Sequence, residues 1–127
     1  MGRGDTQQPI LLVDDNKVDR RIVRCQLENM GWSNITIVEN GQEAVEAVKG
    51  GTYPIILMDV MMGGIEATRI IRALNIQPSP RIIALTASAT PEQREECLEA
   101  GMDFHVCKPV QREELEAALR EVLPKIN

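Results

Sequence analysis

The sequence predicts a single α/β domain built around a doubly wound parallel sheet. Short apolar runs alternate with longer helical stretches from Ile10 to Leu123, and no low-complexity linker interrupts the alternation. Most of these runs are apolar throughout, as strands buried on both faces of a parallel sheet read. Five such β-α repeats require right-handed crossovers, which leave helices on both faces of the sheet. A chain of 127 residues, 43% hydrophobic and 26% charged, suits one domain with a real core.

The elements follow in order. Ile10-Leu11-Leu12-Val13 forms the first strand, and Val23, Leu27 and Met30 mark the buried stripe of the helix after it. Ile35-Thr36-Ile37-Val38 is the second strand, and Asn40-Gly41-Gln42-Glu43 starts the second helix with a capping residue. Ile55-Ile56-Leu57-Met58 is the third strand, followed by a helix with Ala67, Ile70, Ile71 and Leu74 on one stripe. The fourth strand is Ile82-Ile83-Ala84-Leu85. Thr90-Pro91-Glu92-Gln93 then opens a helix with a hydroxyl cap and a proline in its first turn. Phe104-His105-Val106-Cys107 is the fifth strand, and Leu115, Ala118, Leu119, Val122 and Leu123 line the last helix. Five strands suit the flavodoxin-like order 2-1-3-4-5.

Composition narrows the function. Fourteen Lys and Arg against nineteen Asp and Glu leave a charge of −5. With no basic block or aromatic-rich patch, that balance argues against nucleic acid as a partner. Cys25, Cys97 and Cys107 are odd in number and lack metal-ligand spacing, so a reducing cytoplasm is the expected location. No apolar run approaches the roughly 20 residues that span a bilayer, so no membrane contact is expected. The polar first eight residues carry no secretory signal. Met1-Gly2 with Thr6 matches the loose pattern for myristoylation of Gly2.

Ligands of doubly wound sheets gather at the carboxyl ends of the strands, beside the switch in strand order. There the sequence places Asp14-Asp15-Asn16 after strand 1, Asp59 after strand 3, Thr86-Ala87-Ser88 after strand 4 and Lys108-Pro109 after strand 5. Three carboxylates at close range repel one another, and a hard divalent cation such as Mg²⁺ removes the conflict. Lys108 adds a point charge and Thr86 a hydroxyl, both suited to phosphoryl oxygens. A carboxylate can serve as nucleophile and become an aspartyl phosphate, and Asp59 holds the central position. Capping accounts for any one of these residues, but not for Lys108 and Thr86 following apolar runs at matching places.

Together these pieces resemble the receiver domains of two-component signalling, the CheY-like fold found in response regulators and hybrid histidine kinases. The resemblance covers residues 9 to 124, which leaves 1–8 and 125–127 as tails. It rests on Ile10-Leu11-Leu12-Val13-Asp14-Asp15-Asn16, Met58-Asp59-Val60-Met61, Glu66-Ala67-Thr68-Arg69, Ile83-Ala84-Leu85-Thr86-Ala87, Ala100-Gly101-Met102-Asp103 and Lys108-Pro109. The Glu66 and Ala100 motifs are most similar to receivers of hybrid sensor kinases. The resemblance implies that Asp59 accepts phosphate from a phosphohistidine, and that Asp14, Asp15, Asp59 and the carbonyl of Met61 bind Mg²⁺. It further implies that Thr86, the backbone N–H of Ala87 and Lys108 contact the phosphoryl group, that His105 holds the switch position, and that Lys108-Pro109 is cis. Partners implied are a histidine kinase or histidine-phosphotransfer protein, and a second copy through the strand 4 to helix 5 face. The domain would mediate only its own phosphoryl transfer and hydrolysis.

Two departures from the pattern bear on mechanism. The loop Met62-Gly63-Gly64 lacks the family's usual Pro and second Asp and is about three residues shorter. That keeps a binding-only pseudo-receiver open as an alternative. His105 replaces the usual Phe or Tyr with a titratable ring, expected to pack as the aromatic does. Met61, two residues after Asp59, is expected to shield an acyl phosphate. An aspartyl-phosphate enzyme similar to the haloacid dehalogenases would want an Asp where Met61 stands.

Overall fold

The computed structural model describes residues 6–61, 63–88 and 90–123. Gly2, Met62 and most of both expected tails lie outside these residues.

Five strands, β1 (Ile10–Val13), β2 (Ile35–Val38), β3 (Ile55–Asp59), β4 (Arg81–Thr86) and β5 (Phe104–Cys107), form one parallel sheet in the order β2-β1-β3-β4-β5. Between and after them run α1 (Lys17–Asn29), α2 (Gly41–Gly50), α3 (Gly64–Ala73), α4 (Pro91–Ala100) and α5 (Arg112–Val122). β3 and β4 run slightly further than the apolar spans predict, and Asp59 and Thr86 are the terminal residues of their strands.

The side-chain period of a strand splits the core in two. Ile10, Leu12, Ile55, Leu57, Ile83, Leu85 and Val106 face α1 and α5, where Val23, Leu27, Leu115, Ala118 and Leu119 meet them. Leu11, Val13, Ile56, Met58, Ile82 and Ala84 face the other way, against Ala44, Val45 and Val48 of α2, Ala67 and Ile71 of α3, and Cys97 of α4. A fully buried Leu or Ile stabilises by roughly 1.5–3 kcal/mol, so this uninterrupted apolar filling fixes the register and, with it, the positions of the strand ends.

The caps act as their sequences predict. Asn16 accepts from the N–H groups of Val18 and Asp19, Asn40 from Glu43, and Thr90 from Gln93, with Pro91 in the first turn. α3 starts differently. Gly63, at φ +84°, precedes it without a side-chain cap, and a Cβ on Gly64 would fall on the Asp59 carbonyl oxygen. One glycine supplies a left-handed turn and the other lets the helix start against the backbone of β3. The short loop is closed by these two different uses of glycine.

At the opposite end of the sheet, Asp103 accepts from Arg72, Arg81 and the Ile82 N–H, while Arg72 also donates to the carbonyls of Gly101 and Pro80. The Asp103 of the last matched motif is thus a structural tie between α3, β4 and the loop before β5. Among the described residues, no helix is long and apolar enough to cross a membrane.

Candidate functional site

Parallel strands ending in register bring Asp14, Asp59, Thr86 and Lys108 to one rim of the sheet. Asp14 directly follows β1, and its N–H donates to the Val38 carbonyl at 3.1 Å, so the strand pairing fixes its backbone. Its side chain is fully buried and accepts the Asn16 N–H at 3.0 Å. Asp15 beside it is exposed. Asp59, 3% exposed, accepts the Met61 N–H through Oδ1 at 2.9 Å and the Lys108 ammonium through Oδ2 at 3.1 Å.

Lys108 is the centre of charge. Its ammonium donates to Asp59 and to Asp19 Oδ2, the latter also at 3.1 Å. Asp14 Oδ2 lies 3.0 Å from the same nitrogen but outside hydrogen-bonding direction, so this buried oxygen has an ion contact and no directed bond. Burial alone would lower the Lys108 pKa, yet its bonds to the surrounding carboxylates outweigh that and raise it. Burial also raises the carboxyl of Asp14, against the lowering effect of the Asn16 N–H and Lys108 and with a further push from Asp59. The Lys108-Pro109 bond is cis, as is Gln77-Pro78, for which the sequence carried no signal.

The donor set suits a hard cation. One carboxylate oxygen from each of Asp14, Asp15 and Asp59 lies within 4.8 Å of the others, and Asp14 Oδ2 lacks a directed partner. Oxygen donors with surplus negative charge are what Mg²⁺ takes. The Met61 carbonyl accepts the Gly64 N–H at 3.2 Å, which uses one of its two lone pairs. Met61 itself is 65% exposed.

Thr86 is buried; its hydroxyl accepts the Ser88 N–H and has its single proton within reach of both the Ser88 carbonyl and Gln93 Oε1. Thus it is held toward α4. Ala87 follows it, exposed. His105 is partly buried, stacks beside Phe104 with ring centroids 6.1 Å apart, and accepts the Arg94 Nε–H through Nε2 at 3.0 Å. That bond requires a neutral ring protonated on Nδ1. Burial, then the Arg94 charge, lowers its pKa below the ordinary 6.5, against a smaller opposing effect of Glu114. All three cysteines are free thiols, with Cys25 exposed, Cys97 buried and Cys107 between.

Three residues at or near the site escaped the sequence reading: Asp19, Gln93 and Arg94. Asp19 reads as a first-turn helix charge and Gln93 as a capping residue, and neither role points across the fold.

Comparison with known proteins accords with this geometry. The family profile of the response regulator receiver domain matches residues 10–120. The osmosensing histidine protein kinase SLN1 of Saccharomyces cerevisiae is 38% identical over 94% of this chain, and the sensor protein GacS of Pseudomonas syringae 38% over 84%. The chain spans only 10% and 12% of their respective lengths. Among solved structures, the receiver domain of the sensor histidine kinase PA1611 from Pseudomonas aeruginosa, with a magnesium ion coordinated in its active-site cleft, superposes with a TM-score of 0.82. It is 39% identical, and the match covers 93% of this chain and 98% of that one. The receiver domain of Ssk1, solved with the histidine phosphotransfer protein Ypd1 of Saccharomyces cerevisiae, gives a TM-score of 0.83 at 29% identity, over 91% and 88% of the two chains. A profile match across most of the chain, relatives above 30% identity and neighbours of the same architecture agree: the chain belongs to the response regulator receiver domain family.

Proposed function

We propose that this domain, spanning residues 9 to 124, is a Mg²⁺-dependent phosphoacceptor that takes a phosphoryl group from a phosphohistidine onto Asp59. The carrying observation is the convergence of Asp14, Asp15, Asp59 and Lys108 at one rim, with Asp59 almost fully buried and bonded to the ammonium. An Asp59 oxygen attacks phosphorus as the P–N bond of the donor breaks, and the departing imidazole takes the electron pair and a proton. Hydrolysis later returns the carboxylate and inorganic phosphate.

Asp14, Asp15, Asp59 and the Met61 carbonyl would hold Mg²⁺, which would supply neutralising charge for the incoming oxygens. Lys108 orients the acceptor and meets the phosphoryl charge from the opposite side. Thr86 reaches a phosphoryl oxygen by leaving Gln93, with the Ala87 N–H as a further donor. The freed contacts then shift the surface from β4 to α5, where His105 lies and where a second copy would dock.

The partner supported best is a cytoplasmic histidine kinase or histidine-phosphotransfer protein. Val18 and Ile22 are exposed apolar residues on α1, and Met61, two residues after the acceptor, is a third, which supports an apolar helical partner. The parent is a hybrid kinase or a stand-alone regulator.

Incubation with phosphohistidine donor or acetyl phosphate and Mg²⁺ is expected to give stoichiometric labelling, lost in Asp59→Asn. Labelling that survives that substitution overturns the assignment. A chain that binds Mg²⁺ yet takes no label is instead a binding-only pseudo-receiver.

A further inference from the structure

Lys108 has a third carboxylate partner that the acceptor and metal chemistry do not require. Asp14 and Asp59 are fixed by the central strands, whereas Asp19 comes from the first turn of α1, 89 residues from Lys108 in sequence. Its side chain is 30% exposed, against 0% for Asp14 and 4% for Asp59. Two plainer roles exist. A first-turn carboxylate favours the helix terminus, and a half-exposed ion pair adds little stability. Neither role needs Asp19 on the one ammonium of the phosphoacceptor site.

The count of donors gives that contact a consequence. An ammonium has three N–H groups. Here one is directed at Asp59 and one at Asp19, while the remaining contact is with Asp14. A phosphoryl oxygen therefore competes for this ammonium with three carboxylates already gathered on it, two of them by directed bonds. Buried Asp14 has no water to replace its cation, but the partly exposed Asp19 does. The balance of charge points the same way. Asp14, Asp19 and Asp59 all contact Lys108, and a doubly charged phosphoryl group enters beside them, so removing the Asp19 charge lowers the repulsion it meets. α1 is also tied to the segment after Lys108, because Gln26 Nε2 donates to the Val110 carbonyl at 2.9 Å.

We propose that Asp19 is a positioning residue that acts through Lys108, holding the ammonium before the phosphoryl group arrives and yielding it afterwards, so that its charge limits how tightly the site keeps that group. The inference rests on the phosphoacceptor reading of Asp59.

The test uses the full chain, saturating Mg²⁺ and beryllofluoride as phosphoryl mimic, with binding read from the amide resonances of Thr86 and Ala87. Asp19→Asn is expected to bind the mimic about tenfold more tightly, as one opposing charge at this range implies. Asp19→Glu, which restores the charge, is expected to stay within about threefold of the parent. Urea unfolding of the same variants separates a structural role. Loss of a helix-terminal charge costs Asp19→Asn up to about 1 kcal/mol, so stability and mimic affinity move in opposite directions. Unchanged or weaker mimic binding in Asp19→Asn overturns the inference. If the parent binds no mimic, or Asp59→Asn binds it equally well, the phosphoacceptor reading falls first and takes the inference with it.

Discussion

Replacing Lys108 by methionine keeps a long apolar stem and removes the charge around which three carboxylates gather. Asp14, fully buried, and Asp59, at 4% side-chain exposure, then face each other without a counter-ion. Removing one partner of a buried ion pair costs about 3–5 kcal/mol. Asp19 adds little to this, because water takes over part of its solvation. With a urea slope of about 2 kcal/mol/M, a loss of about 4 kcal/mol moves the unfolding midpoint down by about 2 M. The assay is urea unfolding at pH 7.5 in EDTA, followed by the fluorescence of Trp32, the chain's one tryptophan and 3% exposed. The decisive arm repeats the substitution in an Asp14→Asn background. With one buried carboxylate gone, the cost of Lys108→Met is expected to shrink by about 2 kcal/mol. A cost below about 1 kcal/mol, or equal costs in both backgrounds, would refute the role of Lys108 as counter-charge.

Three further outcomes follow from the geometry. Gly64→Ala, whose Cβ would meet the Asp59 carbonyl, is expected to lose about 3 kcal/mol, whereas Gly63→Ala, at positive φ in open space, loses about 1 kcal/mol; equal losses in chemical denaturation contradict the two separate uses of glycine. Because His105 titrates below 6.5 in the folded chain, the unfolded chain takes the proton first. Stability therefore falls as pH drops through 6.5 and levels off below the folded value, so the stability of His105→Phe relative to the parent is expected to rise between pH 7.5 and 5.5 in urea melts. Arg72→Met removes the donor shared by Asp103, Gly101 and Pro80 and is expected to cost about 2–3 kcal/mol, read by thermal unfolding; a change within 0.5 kcal/mol means the tie is dispensable.

Continuously apolar runs made the strands legible, because residues such as Ile56 and Leu57 are buried on opposite faces of the same sheet. α4 was legible from its cap alone. It buries only Cys97 and Ala100 and leaves Leu98 exposed, so no stripe exists for periodicity to detect. At the site, residue types fixed to strand ends could be placed on one rim, since strand order and register settle their positions. Side chains that arrive from a neighbouring element could not. Asp19 meets Lys108 only after α1 has packed against the sheet, and the turn of the Thr86 hydroxyl toward Gln93 is a rotamer choice that no spacing encodes. The dense bonding of Asp103 likewise depends on Arg72 and Arg81 converging from α3 and β4.

Gln93 and Arg94 are consecutive residues, and they hold Thr86 and His105 respectively. One turn of one helix therefore grips both side chains like the two prongs of a single fork. Any shift of that turn loads both grips at once, and a change at either grip is felt at the other through rigid helical backbone, without Thr86 and His105 touching.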